Sequence, residues 1–152
     1  MLVGAATDKG IVRNINQDSM FLPDNPSIKL FIVADGMGGH KAGEIASKLA
    51  IENIHKYIND TKDMITSIEK AQATISEAMS RANRQIYEYS THDQECDGMG
   101  TTVTLAYIYR NKIVIGHVGD SRAYIIRRGG IAQLTEDHSL VNQLIKGGKI
   151  TI

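Results

Sequence analysis

Two stretches of helical period stand back to back in the middle of the chain, and any fold it adopts must bury both apolar faces. Ile45, Leu49, Ile54, Tyr57 and Ile58 make the first stripe; Ile65, Ile68, Ala71, Ile75, Met79, Ala82, Ile86 and Tyr89 make the second. The polar stretch between them, Asn59-Asp60-Thr61-Lys62-Asp63, is so short that the helices should be antiparallel neighbours. Such a pair needs a sheet to lie on. Strand-like runs occupy residues 2–7, 19–22 and 30–34 before the helices and 101–109, 113–118 and 123–127 after them. The connections Arg110-Asn111, Gly119-Asp120-Ser121 and Arg128-Gly129-Gly130 are too brief for crossovers, so the later strands are expected to pair antiparallel. The class is therefore α+β. A third helical pattern opens at Leu140 and is closed by Gly147-Gly148. With 152 residues, 42% of them hydrophobic, the chain can build one core, and a single domain over 1–152 is expected.

Charge and cysteine usage narrow the function. Seventeen basic and seventeen acidic residues cancel, which argues against nucleic acid or an anionic membrane surface as partner. Cys96 is the only cysteine, so neither an internal disulfide nor a thiolate zinc site is available, and a reducing, cytoplasmic setting is expected. No apolar run reaches the length of a membrane span, and the first six residues do not read as an export signal. Pro23-Asp24-Asn25-Pro26 reads as a surface loop.

The segment richest in chemistry is Lys29-Leu30-Phe31-Ile32-Val33-Ala34-Asp35-Gly36-Met37-Gly38-Gly39-His40. It places a carboxylate at the end of an apolar strand, where the backbone holds it rigidly at the rim of a sheet, and follows it with glycines that let the chain turn with its carbonyls open. Hard divalent cations such as Mg2+ or Mn2+ take such oxygen donors and keep several waters. Taken alone, Asp35-Gly36 reads more readily as a plain turn. A phosphate-cradling nucleotide loop fits less well, because no Lys-Ser/Thr follows the glycines.

Four further segments give that carboxylate a context. Residues 7–18 read Thr-Asp-Lys-Gly-Ile-Val-Arg-Asn-Ile-Asn-Gln-Asp. Gly98-Met99-Gly100-Thr101-Thr102, Gly116-His117-Val118-Gly119-Asp120-Ser121-Arg122-Ala123-Tyr124 and Leu134-Thr135-Glu136-Asp137-His138-Ser139 come after the helices. Together with residues 33–46, these five blocks resemble, in order, the motifs of the metal-dependent Ser/Thr protein phosphatases of the protein phosphatase 2C family, bacterial type. The resemblance runs from about residue 4 to Ile152.

It implies a fold of two mostly antiparallel sheets packed face to face with helices on both outer sides, an α/β/β/α sandwich. It implies that Asp35 bridges two Mn2+ or Mg2+ ions, that Gly36 lends one of them its carbonyl, and that Asp18 holds metal-bound water from the outer shell. By the same resemblance Arg13 binds the substrate phosphate, and Asp120 helps to hold a third ion, although a side chain in that tight turn can equally cap the backbone. His40 would donate a proton to the leaving group, against the plainer reading of a surface histidine at a helix start. His138 reads as structural, beside a helix cap at Ser139. The reaction implied is attack of a metal-activated water on phosphoserine or phosphothreonine, opposing a Ser/Thr kinase. Two later aspartates of the family's second metal site and its remaining strands have no counterpart up to Ile152, and residues 139–152 resemble the start of a mobile flap. The chain is therefore expected to be an N-terminal portion with weak metal binding and little turnover, of a domain that is monomeric when complete. The alternative is a non-catalytic interaction module or a self-associating fragment, since unpaired strand edges and apolar faces invite pairing between chains.

Overall fold

The structure, a computed structural model, describes residues 1–23, 29–39 and 42–138. Five strands form one antiparallel sheet: β1 (Asp18–Phe21), β2 (Leu30–Met37), β3 (Gly100–Thr101), β4 (Val103–Tyr109) and β5 (Lys112–Val118). The spatial order is β1-β2-β4-β5, with β3 pairing the far end of β2 beside Gly36 and Met37. Between β2 and β3 run the two long helices, α1 (Ala42–Thr61) and α2 (Ile68–His92), each followed by a short 3-10 turn. Ser67 starts α2 by accepting a hydrogen bond from the Lys70 amide at 3.2 Å. The Tyr109 hydroxyl donates to the Thr66 carbonyl and ties that helix start to the end of β4.

The helices pack on each other and on one face of the sheet, α1 over β1 and β2, α2 over β4 and β5. Leu30, Ile32 and Ala34 of β2 and Leu105 of β4 point into this core, together with Ile54, Ile58, Ile75 and Ile86 of the helices. The expected stripe on α1 is shifted: Ile45 and Leu49 are only half-buried, and the innermost line is Ala42, Ala46, Ala50 and Ile54. Small side chains let α1 approach the sheet closely, which a stripe chosen by hydrophobicity alone misses. On the other side α2 presses on Gly116, where an added Cβ would lie 2.8 Å from both Ile75 and Met79 side chains.

Two expectations are corrected. Residues 2–7 form no strand: Leu2 and Val3 are exposed, and apolar character without a neighbouring ladder does not make one. The strand after the Gly119-Asp120-Ser121 turn does not pair with β5 either. It becomes β6 (Tyr124–Arg127), which among the described residues pairs only with β7 (Gly130–Gln133), in a separate hairpin. Gly119, at φ +104°, turns the chain out of the main sheet. By contrast β4 and β5 do pair through Arg110-Asn111, with Arg110 at φ 55°, and Arg128-Gly129 makes the same kind of two-residue turn between β6 and β7. The third helical pattern, the cap at Ser139 and the flap over 139–152 lie outside the described residues.

Candidate active site

Alternation along β2 sorts its residues between two faces. Leu30, Ile32, Ala34 and Gly36 are buried toward the helices, while Val33 and Asp35 face away from them. Asp35 thus lies two residues before the end of the strand rather than at it, because β2 continues to Met37. In the register of β1 with β2, Asp18 stands directly opposite Asp35, so both carboxylates project from the same face. Like charges placed directly opposite on an antiparallel pair repel, and a sheet built for stability alone avoids them.

The electrostatics follow from this placement. Burial pushes the Asp35 carboxyl above its ordinary range, although its side chain stays open to solvent on one side. The Asp18 charge and a hydrogen bond to Asp18 push it further, the Arg13 guanidinium pulls it back, and the Asp120 charge adds to the rise. Arg13, Asp18 and Asp120 are therefore all within electrostatic reach of Asp35. The cleft beside Asp18 and Asp35, about 350 Å³, is also lined by Thr7, Asp8 and Ser121.

Side-chain bonds, not secondary structure, hold the segment that carries Arg13, whose charge is felt at Asp35. Asp8 accepts from the Gly10 amide at 2.7 Å, Asn16 donates to the Thr7 hydroxyl at 2.7 Å, and the Asn16 carbonyl oxygen accepts from the Asp18 amide at 3.0 Å. These brace the opening block across a segment without regular structure. Gly36 has a packing role that its sequence reading did not contain. An added Cβ would sit 1.9 Å from the Gly43 carbonyl oxygen, because the first turn of α1 rests on the backbone of β2 at this point. Gly43 could have been suspected from its place one helical turn before Ser47 on the small-residue line of α1.

Other predicted residues divide as follows. His40 lies outside the described residues. The His138 amide donates to the Gly119 carbonyl at 2.7 Å and its ring lies 5.0 Å from that of His117. Cys96 is 2% exposed, and burial together with the nearby Asp93 carboxylate pushes its thiol up, the opposite of an activated nucleophile. Two residues without an assigned role, Thr102 and Ser121, touch the site directly. The Asp35 amide donates to the Thr102 hydroxyl at 3.0 Å, and that hydroxyl is 2.8 Å from the Ser121 hydroxyl.

The donor set is one of hard oxygens, and Asp18 and Asp35 repel each other unless a cation or a proton lies between them, so the residues fit a divalent ion. Among the described residues no three His, Cys, Asp or Glu side chains form a group able to hold a metal ion. No helix of the described residues is long and apolar enough to cross a membrane.

A family model described as protein phosphatase 2C matches residues 7–144. The serine/threonine phosphatase stp of Listeria welshimeri is 37% identical over 146 residues, covering 95% of this chain and 58% of the relative. The protein phosphatase PhpP of Streptococcus pneumoniae is 36% identical over 152 residues, covering 99% of this chain and 61% of the relative. Among solved structures, the S. agalactiae serine/threonine phosphatase superposes with a TM-score of 0.84 at 39% identity, over 96% of this chain and 60% of that one. The catalytic domain of the phosphatase PstP, solved in complex with two manganese ions, does so at 0.79 and 35% identity, over 95% and 59%. The chain thus spans about three-fifths of the length of these relatives, and it has their α+β fold over that span.

Proposed function

Since this chain belongs to the protein phosphatase 2C family, we propose that it works in the metal-dependent hydrolysis of phosphoserine and phosphothreonine in proteins. The observation that carries this reading is the pair Asp18 and Asp35, set directly opposite on one sheet face. Asp35 would hold Mn2+ or Mg2+ with help from the Gly36 carbonyl, with Asp18 in the outer shell, and Asp120 would serve a further ion. Bound there, the ions supply Lewis-acid activation of a water nucleophile. Arg13, exposed and close enough for its charge to act on Asp35, binds two phosphate oxygens through its guanidinium fork and offsets charge that grows in the transition state. His40 is assigned the proton transfer to the leaving oxygen. The substrates are phosphoproteins, the opposing activity is a Ser/Thr kinase, and the site of action is the cytoplasm.

Arg13→Ala should remove about 1.5–3 kcal/mol of transition-state binding, roughly a ten- to hundredfold fall in kcat/KM on a phosphothreonine peptide. Arg13→Lys should recover little, since an ammonium cannot fork. An unchanged kcat/KM in Arg13→Ala would remove the phosphate role.

Two facing carboxylates and one carbonyl are few donors for two ions. The 152-residue polypeptide should therefore bind Mn2+ weakly and release phosphate slowly, and the little it releases should vanish in EDTA. Phosphate release indifferent to EDTA would sink the metal reading; brisk Mn2+-dependent turnover would sink the weak-binding one.

A second reading has its own support. On the sheet face away from the helices Val33 is 49% and Ile113 58% exposed, and on the β6–β7 hairpin Ile126 is 77% and Ile131 68% exposed. Apolar surface of this kind suits a partner. Native mass separates the two: a higher oligomer whose stability ignores Mn2+ favours an interaction module over a phosphatase.

A further inference from the structure

We propose that Thr102 is a positioning residue, its hydroxyl fixing the main chain of Asp35 against the turn that carries Asp120; this rests on the metal reading of those two carboxylates. Thr102 lies opposite Asp35 where β3 passes into β4. The Thr102 amide donates to the Asp35 carbonyl at 2.9 Å, as a ladder bond would. The return bond is different. The Asp35 amide donates to the Thr102 side-chain hydroxyl, while the Thr101 hydroxyl, with one proton to give, lies 2.9 Å from the Thr102 carbonyl and 3.0 Å from the Asp35 carbonyl.

A hydroxyl in place of a carbonyl changes what the site can transmit. A hydroxyl can accept the Asp35 N–H and at the same time exchange a second bond with the Ser121 hydroxyl, the neighbour of Asp120 in the chain. From the other side Gly119 closes on the same residue, where an added Cβ would lie 2.6 Å from the Thr102 methyl. Thr102 therefore gauges the gap between the Asp35 strand and the Asp120 turn with two bonds and one methyl contact. The Ser121 carbonyl adds a longer bond, accepting from Thr104 at 3.4 Å, and Thr104 meets His117 at 2.9 Å. Ligand carboxylates owe their geometry to such outer partners.

The experiment is a Mn2+ titration read by the paramagnetic signal of free Mn2+, with metal-free melting curves alongside, on the full chain and four variants. Thr102→Val keeps the shape and deletes the hydroxyl; Thr102→Ser keeps the hydroxyl. On the outer-partner scale of roughly 10–100-fold, Thr102→Val should weaken Mn2+ binding by about tenfold and Thr102→Ser by about twofold or less. Ser121→Ala, which cuts only the tie to the turn, should weaken it by about threefold. Equal Mn2+ affinity in Thr102→Val and Thr102→Ser overturns the proposal, whatever their melting temperatures. Should Thr102→Val not fold, Ser121→Ala decides, and affinity equal to the parent overturns it. Asp35→Asn is the control on the underlying reading: if it binds Mn2+ as the parent does, the metal assignment itself has failed.

Discussion

Asp35→Asn should abolish Mn2+-dependent phosphate release and, in the same preparation without metal, raise the melting temperature. The first effect is loss of the carboxylate that faces Asp18 across β1 and β2; a hundredfold fall in rate, about 2.7 kcal/mol, is the least expected. The second follows from linkage. The folded protein holds the Asp35 carboxyl above its unfolded value, through burial first and Asp18 second, so the folded state binds the proton more tightly. Stability from this group is complete below the unfolded pKa and is lost as pH rises through the raised, folded one. At neutral pH the ionised side chain is a liability that asparagine lacks, and at pH low enough to protonate the unfolded carboxyl the difference closes. Melting curves in EDTA at neutral and acid pH check this. A gap that does not shrink on acidification, or a variant that melts lower than the parent, contradicts it.

Gly36→Ala should cost the fold itself. Its Cβ would stand 1.9 Å from the Gly43 oxygen, 2.5 Å from the Gly43 carbonyl carbon and 2.7 Å from the Gln17 oxygen. All three are backbone atoms, so no rotamer relieves the clash; α1 would have to lift from β2 along its first turn. That exceeds the ~1–3 kcal/mol of ordinary overpacking. At about 2–4 °C per kcal/mol for a chain of this size, a melting temperature lower by roughly 10 °C or more is expected, or no cooperative transition. Gly39→Ala, with nothing within 4 Å of the added atom, is the matched control and should melt near the parent. Similar melting of the two variants would mean that α1 does not rest on Gly36 as described.

Much of the site was legible because its residues come in blocks with chemical character. Asp35 drew attention by its place after an apolar run; Arg13, Asp18 and Asp120 did so only through the resemblance of their blocks to a family, and the charges of these three act on Asp35. What spacing could not supply was the contact across strands: that Asp18 faces Asp35 depends on the β1–β2 register, which a half-polar four-residue strand does not announce. Thr102 and Ser121 were hidden for a related reason, since a threonine in a strand and a serine in a turn are the residues propensity already expects there. The fold showed the same division. Helical period found both helices, but α1 lies on the sheet through Ala46 and Ala50, and alanine carries little signal in a hydrophobic stripe. The separate β6–β7 hairpin went unseen because short connections suggest pairing, whereas Gly119 at positive φ diverts the chain after β5.

The bond between the Asp35 amide and Thr102 joins residues 67 positions apart, with both long helices in the intervening chain. Closing so long a loop carries an entropic cost that grows only slowly with length, yet it must be met before any of the β2–β4 ladder forms. The helical pair, built on local contacts, lies between the two neighbouring central strands β2 and β4 in the chain, and its early formation is expected to shorten that search. Asp35 is thus made early by the ribosome and finished late by the fold. Until the β2–β4 ladder closes, Asp35 lacks its bond to Thr102, so a cation held as proposed is expected to be captured late in refolding.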